Sequence, residues 1–276
     1  MNGFLGRIEY KNSPQRFNIH THPDCQLIYL KSGRLTLTVA QNTYVAEAPS
    51  FLFLNNMVPH AIVSEGSENE RYVFYMDFAE AQREIQNRTL LSAFTIRQNS
   101  EYVMRISAQR KEIENLIELM MTLQREQRPM YIESVNAAFG LLLSMLYGLH
   151  PEHFNPFETR IQNVVFDIKQ DLERCPDAEI QIHDFAAKYH FSEYYLTHAF
   201  TEITGYSIKQ YQMLCRLAHA SAMLADTDKN ITEICYAAGF SDASNFARYF
   251  KHATGKTPSE YRQQCREHAK NADKEN

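Results

Sequence analysis

The chain has 276 residues, of which 44% are hydrophobic, and its formal net charge at pH 7 is −5. This length suffices for two ordinary domains with buried cores, and the composition excludes a chain that is disordered beyond its ends. The five cysteines are scattered, odd in number and form no Cys-x-x-Cys pair, which excludes a regular disulfide framework and favours a reduced, cytoplasmic protein.

The first eighty residues carry the pattern of β-strands. Four short β-rich runs, the first of which alternates apolar and polar residues, are GRLTLTVA, TYVAEA, SFLFL and RYVFYMDF. Turn residues such as Ser32-Gly33 separate the runs at short intervals. Many short strands with frequent turns are typical of an antiparallel sandwich or barrel.

Two amphipathic helices are predicted next, over residues 110–124 and 131–149, because apolar residues there recur every three or four positions. The apolar residues that exceed the needs of one barrel face include Met120, Met121, Leu142 and Met145. Two interpretations stay open. Either this surface is all internal core, or part of it is exposed and pairs with a second copy in a homodimer through helices 110–149.

The segment HPEHFNP has two prolines and no periodicity, so we predict a linker over 151–156 between domains that span 1–150 and 157–276. The longest nearly apolar run, AAFGLLLSMLYGL, is shorter than the roughly 20 residues that a bilayer span needs. The N-terminus also lacks an apolar core of signal-peptide length. We therefore expect a cytoplasmic protein with no membrane contact.

The second half contains two copies of one unit, at about residues 182–211 and 231–261. Matching residues lie 49 positions apart in the first part of the unit, as Phe191 and Phe240 do, and 50 apart in the second part. A single inserted residue explains the change of offset. Each copy predicts a short helix, a tight turn, a second helix and a new helix start, and the first three of these form a helix-turn-helix.

Helix-end signals support this division. Ser192 and Ser241 are predicted N-caps of the second helices, and Gly205 and Gly255 are predicted at their C-terminal ends. Capping-box spacing, which marks further helix starts, joins Asn230 with Glu233, Ser207 with Gln210, and Thr257 with Glu260. A plain helical bundle would show similar signals, but seldom twice in the same order.

Cationic residues concentrate near the end of this acidic chain. Residues 243–266 contain five Lys or Arg residues and one Glu. Phosphates respond to local charge, so the cluster favours a nucleic-acid partner despite the negative net charge. An ordinary solvated surface is the alternative interpretation.

The stretch ITEICYAAGFSDASNFARYFKHATGKTPSEYR closely resembles the signature of AraC/XylS-type transcriptional regulators. The resemblance is strong from about residue 161 to 262 and looser over the N-terminal half. It implies an α+β fold with two domains: an N-terminal β-barrel of cupin or jelly-roll type with two amphipathic helices, and an all-α C-terminal domain with two helix-turn-helix units. One long helix, about 207–225, would bridge the units and place their recognition helices in successive major grooves.

Helical geometry then predicts which side chains meet double-stranded DNA. The outward residues of the first recognition helix are Tyr194, Thr197 and His198, and those of the second are Ala243, Ser244, Asn245 and Arg248. Arg248 suits a guanine edge or a phosphate, and Asn245 suits an adenine. Phosphate contacts are predicted for Lys251, Lys256, Thr257 and Arg262, with Arg216 of the bridging helix serving either unit.

The stretches HTHPDCQLIYLKSG and APSFLFLNNMVPH resemble the two cupin motifs. The residues that this resemblance places around an effector pocket are His20, His22, Gln26 and His60, with Tyr29 and Tyr75 nearby. Gln26 stands where metal-binding cupins usually have glutamate, which weakens the case for a metal at His20, His22, Gln26 and His60. We therefore predict no cofactor.

Three functions are compatible with these patterns. The first is a sequence-specific DNA-binding transcriptional regulator that responds to a small-molecule effector in the barrel, with a sugar as one candidate. The second is a cupin metalloenzyme with an accessory helical domain, and the third is a DNA-binding regulator whose barrel is purely structural. We favour the first, which is not an enzyme, because only it uses both halves and the repeat.

Overall fold

The computed structural model describes residues 3–13, 19–39, 42–94, 102–154, 159–178 and 181–272. The α+β fold predicted from the sequence is confirmed, since a region of antiparallel strands precedes a helical region. The six strands are β1 (Leu5–Lys11), β2 (Cys25–Val39), β3 (Asn42–Glu47), β4 (Ser50–Leu54), β5 (His60–Met76) and β6 (Val103–Arg105).

The strands form one antiparallel sheet in the order β1-β5-β2-β4-β6, with β3 paired to the second half of β2. The pairing of β2 with β5 shifts register between Leu30 and Arg34, and the sheet folds over there. Residues from both halves of β2, including Ile28 and Leu37, consequently share one internal apolar cluster. The sheet encloses this cluster in the manner of a barrel, although among the described strands the hydrogen-bonded path keeps two ends, β1 and β6.

Helices cover the other face of the sheet. They are α1 (Phe78–Glu84), α2 (Thr89–Ser92), α3 (Arg110–Glu126) and α4 (Tyr131–Leu149), so both helices predicted in this region are confirmed. Met120 and Leu142 are fully buried and belong to the core, and Met121 and Met145 are partly buried against it. By length and composition alone α4 passes a test for a membrane span, as core helices do, and six of its residues are buried.

The described part of the predicted linker packs on the sheet region. A short 3-10 helix covers Pro151–His153, and Phe154 beyond it is 3% exposed. The ring of Phe154 lies 5.4 Å from that of Tyr147 and 6.1 Å from that of Phe53. The boundary between the domains stays a prediction.

Seven helices follow along the chain. They are α5 (Arg160–Arg174), α6 (Ile182–Tyr189), α7 (Glu193–Thr204), α8 (Ile208–Asp226), α9 (Ile231–Ala237), α10 (Ala243–Thr254) and α11 (Pro258–Ala272). Each predicted helix-turn-helix has its own apolar cluster, centred on Phe200 in the first unit and on Phe246 and Phe250 in the second.

The predicted helix ends are confirmed with one exception. Ser192 caps α7, and Gly205 and Gly255 adopt left-handed φ values of 78° and 75° at the ends of α7 and α10. The prediction of Ser241 as the cap of α10 is wrong, because the carboxylate of Asp242 accepts the hydrogen bond from the Asn245 amide. All three predicted capping boxes form.

Helix α5 joins the helical region to the sheet region. The ring of Phe166 packs 5.5 Å from that of Phe78, and Arg88 lies 3.5 Å from Asp167. Lys169 is only 4% exposed, and its Nζ lies 4.0 Å from a carboxylate oxygen of Glu173. Both members of this buried ion pair belong to α5, and the Lys169 ammonium also lies 5.7 Å from the ring of Phe78 in the sheet region and 5.2 Å from the ring of Tyr211 in α8.

Candidate DNA interface and ligand-binding region

One long helix, α8, carries both helix-turn-helix units. A capping box between Ser207 and Gln210 fixes its start, and its 19 residues give a length of about 28 Å. The recognition helices α7 and α10 lie on either side of it in the chain. The predicted distance between the two recognition helices along DNA, about one helical turn or roughly 34 Å, is close to the length of α8.

The outer surface of α7 is aromatic rather than cationic. Tyr194 is 82% exposed, and its ring stacks 6.3 Å from that of His198. The Nδ1 of His198 also lies 3.9 Å from a carboxylate oxygen of Glu202. Thr197 is half-buried and donates its hydroxyl hydrogen to the Glu193 carbonyl at 2.6 Å. The structure therefore brings Tyr194 and His198 together, while the Thr197 hydroxyl makes a hydrogen bond within α7.

The first turns of α10 present polar and cationic side chains. Ser244, Asn245 and Arg248 are exposed, and Arg248 Nη2 donates to Asn245 Oδ1 at 3.0 Å. Ala243 does not share this surface fully, because it is half-buried against the cluster of the second unit. The prediction that Ala243 faces outward is therefore corrected, since its methyl group contributes to packing.

The predicted phosphate anchors differ in exposure and in the hydrogen bonds that they make within the protein. Lys251 is exposed, whereas the Lys256 ammonium donates to Gln264 Oε1 at 2.6 Å. Thr257 Oγ1 accepts the Glu260 amide in the capping box. Arg262 is half-buried and donates to the Lys229 carbonyl at 2.5 Å, so it fixes α11 to the loop before α9. This bond disfavours the phosphate contact predicted for Arg262.

Arg216 lies where the two units meet. Its Nε donates to the Pro176 carbonyl at 2.8 Å, which holds the loop after α5 against α8. Arg216 also lines a recess of about 280 Å³ together with Asn245, Arg248 and Tyr249. The bridging helix therefore places Arg216 beside the second recognition helix.

In the sheet region, His20, His22 and His60 converge. Their ring centroids lie 4.5 to 5.7 Å apart. Burial, together with the nearby His20 ring, lowers the pKa of His22 to about 3 and lowers the pKa of His60 well below its ordinary value. Both imidazoles are therefore neutral at pH 7. The structure thus assembles the three histidines that the cupin resemblance selected.

A cavity of about 400 Å³ lies between the sheet and the helices. Four of its lining residues belong to the sheet region, namely Ile19, Thr38, Val58 and Pro59. The others are Tyr206 and Leu214 at α8, and His252 and Ala253 at the end of α10. The second recognition helix and the sheet thus share one apolar space.

Two family models match the chain. The AraC-like ligand binding domain matches residues 5–143, and a helix-turn-helix domain matches residues 185–264. The chain belongs to the AraC-type transcriptional regulators. The chain therefore combines an AraC-like ligand-binding domain with a helix-turn-helix domain, and the family is the one that the signature in its second helix-turn-helix predicted.

Curated relatives match part of this AraC-type regulator. The Msm operon regulatory protein of Streptococcus mutans is 27% identical over 130 residues, which are 47% of each chain. An uncharacterized HTH-type transcriptional regulator of Staphylococcus aureus is 32% identical over 120 residues, which are 41% of this chain and 16% of the relative. The chain thus spans less than half the length of these relatives.

Solved structures support the fold over nearly the whole chain. ToxT from Vibrio cholerae has a TM-score of 0.61 at 14% identity and covers 93% of this regulator and 96% of its own chain. ToxT bound to (E)-4-(8-methylnaphthalen-1-yl)but-3-enoic acid has a TM-score of 0.63 at 15% identity and covers 94% and 98%. At these identities the likeness concerns the fold alone.

The remaining predicted effector residues of the AraC-type regulator divide between the two faces of its sheet. Gln26 lies on the same face as Ile28 of the internal cluster, because the two are separated by two positions. Tyr75 packs against that cluster, and its hydroxyl donates to Glu9. Tyr29 lies on the opposite face and donates to Glu114 of α3 at 2.7 Å, so its predicted place in the effector pocket is corrected.

Two features of this regulator escaped prediction. Tyr249 is 44% exposed beside Arg248, and its position four residues after Asn245 was a usable signal, since residues at that spacing share one helix face. The cavity has no such signal. Its lining comes from segments far apart in the sequence, such as Thr38 and Leu214, and only the tertiary fold joins them.

Proposed function

We propose that this regulator binds double-stranded DNA sequence-specifically through both helix-turn-helix units, and that a small apolar acid in the cavity controls that binding. The single observation that carries the proposal is the lining of the cavity, to which the sheet, α8 and α10 all contribute. An occupant would touch the ligand-binding region and the second recognition helix at once. Such an occupant would make different contacts in different arrangements of the sheet, α8 and α10. A ligand shifts the populations of two arrangements only if it binds them with different affinities.

The lining favours an apolar body with one polar group. Ile19, Val58 and Leu214 are apolar, and the polar side chains are those of Thr38, Tyr206 and His252. A carboxylate could bind beside His252 while its hydrocarbon part fills the apolar space. The fold neighbour ToxT has been solved with an unsaturated fatty acid, at 16% identity and a TM-score of 0.57.

A sugar was one candidate effector suggested by the sequence. Its several hydroxyl groups would each need a hydrogen-bond partner on burial. Thr38, Tyr206 and His252 supply few such partners in this cavity. We therefore propose the apolar acid ahead of the sugar, and the experiment below includes both.

The test begins with selection of DNA fragments that the full chain binds from a random pool. Affinity for the selected DNA is then measured by fluorescence anisotropy at fixed salt, with oleate and arabinose as separate probes. We expect oleate to change the affinity at least fivefold and arabinose to leave it unchanged. Thr38→Phe should fill the cavity and abolish the oleate response without changing basal DNA binding.

A matched control is available on the neighbouring strand. Thr43 pairs with Thr38 across β2 and β3, is exposed and does not line the cavity, so Thr43→Phe should keep the response. His22→Ala should also keep it. A response to arabinose that His22→Ala abolishes would instead favour the effector pocket predicted around the histidines.

We also propose a homodimer through α3 and α4. Large apolar side chains on the surface of this helix pair and its connection are Leu119, Met130 and Leu141, which are 51%, 65% and 54% exposed. Burying them against a second copy would remove apolar surface from water. Sedimentation velocity should show a dimer that the pair of changes Leu119→Lys and Leu141→Lys converts to a monomer. We place this non-enzymatic regulator in the cytoplasm, together with the DNA it binds.

A further inference from the structure

The backbone holds the three histidines of the sheet region in place before any ligand arrives. His20 and His60 exchange two backbone hydrogen bonds of 2.9 Å, so their side chains project next to each other. The His22 carbonyl accepts the Met57 amide at 3.0 Å, and Thr21 Oγ1 donates to the Met57 carbonyl at 2.9 Å. Two separate chain segments are therefore joined at the point where the imidazoles meet.

The hydrogen bonds of two rings fix which nitrogen carries the hydrogen. His22 Nδ1 lies 2.7 Å from the Asp24 carbonyl, and His60 Nδ1 lies 2.9 Å from the Val58 carbonyl. A carbonyl oxygen only accepts, so both Nδ1 atoms are protonated and both Nε2 atoms carry a lone pair. Metal-binding histidines are held in this way, with one ring nitrogen donating to a carbonyl and the other turned to the ion.

Both lone pairs are buried and unused. His22 Nε2 and His60 Nε2 are inaccessible to solvent and have no hydrogen-bond partner among the described residues. A buried acceptor without a partner destabilises the folded chain, so two in one cluster call for a ligand that accepts lone pairs. A cation meets this need, whereas packing alone does not.

The geometry suits a small ion. One ring nitrogen from each of His20, His22 and His60 lies within 4.8 Å of the other two. Tetrahedral ligands at about 2.0 to 2.1 Å from a metal are about 3.4 Å apart, so modest side-chain rotations would close the site. Gln26, which is 5% exposed and lies close to His22, adds an uncharged group where a carboxylate would favour harder cations.

We propose that His20, His22 and His60 bind one borderline divalent metal ion, such as Zn²⁺, Co²⁺ or Ni²⁺, through their ring nitrogens. Three imidazoles fill three of the four tetrahedral positions and leave one for water or an anion. The site is separate from the cavity proposed for the effector, although Ile19 and Pro59, the chain neighbours of His20 and His60, line that cavity. Its test therefore needs no DNA.

The experiment is a Co²⁺ titration of the full chain, prepared without a histidine tag and freed of metal, followed by visible absorption. We expect one equivalent of Co²⁺ to give the intense d–d absorption of a tetrahedral site, and Zn²⁺ to displace it. His22→Ala and His60→Ala should each lose the absorption. His60→Cys should restore a site and add a thiolate-to-cobalt charge-transfer band, which a folding defect could not produce.

A second histidine group supplies the control. His150, Glu152 and His153 also place ligand atoms within 4.8 Å of one another, but on an accessible surface. The double change His150→Ala and His153→Ala should leave the cobalt spectrum intact. No tetrahedral absorption in the wild-type chain, or absorption that this double change removes and His22→Ala does not, would overturn the proposal.

Discussion

The two helix-turn-helix units repeat one backbone but carry different surfaces. His190 and Gly239 occupy the same place in the repeat, and both are left-handed, with φ of 57° and 82°. Gly205 and Gly255 also correspond and have nearly equal φ values of 78° and 75°. The turns and stops that shape the unit are thus the same in both copies.

Their outward side chains are not the same. Unit one presents Tyr194 and His198 beside Glu202, whereas unit two presents Arg248 and Lys251. The cluster of unit one also includes Met57 of the sheet region. The two units thus share the conformations that shape the backbone and differ in their surfaces. The cluster of the first includes a residue of the sheet region, and the second carries more positive charge on its outer face.

Gly239→Ala should have the largest effect, because a side chain at this left-handed position would meet the backbone of the loop after α5. A methyl group at Gly239 would lie 2.6 Å from the Cα of Asp177, in addition to the strain of φ 82°. We expect the free energy of unfolding to fall by about 2 to 4 kcal/mol, measured by urea denaturation. In unit one, Gly205→Ala meets nothing within 4 Å and should lose about 1 kcal/mol. Equal losses would show that the loop of Asp177 yields freely.

Arg248→Ala should come next. If unit two supplies most of the recognition energy, specific binding should weaken by about 1 to 3 kcal/mol in an anisotropy titration at fixed salt. His198→Ala should weaken it less, because His198 pairs with Glu202 rather than standing as a fixed cation. A larger loss for His198→Ala would reverse the assignment of the two units.

The helix caps separate stability from binding. Ser192→Ala should lower the free energy of unfolding by about 1 kcal/mol, because α7 loses a hydrogen bond at its first turn. Asp242→Asn keeps a capping oxygen but removes a negative charge from the start of α10. Stability should then stay nearly constant while DNA affinity rises. Weaker binding by Asp242→Asn would show that the carboxylate itself contacts DNA.

Lys251→Ala should have the smallest effect on free energy and a distinct signature. An exposed cation that neutralises one phosphate should weaken specific and non-specific binding alike, and the slope of log affinity against log salt should fall by about 1. Arg262→Ala is the comparison, since Arg262 is tied to the Lys229 carbonyl and should lower stability without changing the slope. Unchanged slopes for both would remove Lys251 from the interface.

Local signals predicted most of the helical region. Gly205 and Gly255 stop helices because left-handed φ suits glycine, and the box of Ser207 and Gln210 needs only residues three apart. The predicted capping residue of α10 was wrong because Ser241 and Asp242 are adjacent and either side chain can cap a helix. Which one does so depends on the local backbone at the residue that unit two has gained after Ser241, where its spacing departs from that of unit one.

Tertiary placement was harder to predict. Gln26 and Tyr29 lie three positions apart in one strand and so point to opposite faces, which alternation alone could have shown. Arg262 looked like a phosphate anchor because its charge is visible in the sequence and the Lys229 carbonyl beside it is not. The two orphaned imidazole nitrogens depend on which carbonyls lie near His22 and His60, and only the fold determines that.

The uninterrupted course of α8 sets a phase relation between the two recognition helices. One residue inserted into it would advance the second unit by about 1.5 Å and turn it by about 100° around the helix axis. The shift along the axis is small compared with the width of a major groove, which is about 12 Å. The rotation, however, would point α10 away from the duplex that α7 faces. Changes of length are therefore expected in the loops before α6 and α9. The 19 residues of α8 fix the rotation of one recognition helix relative to the other.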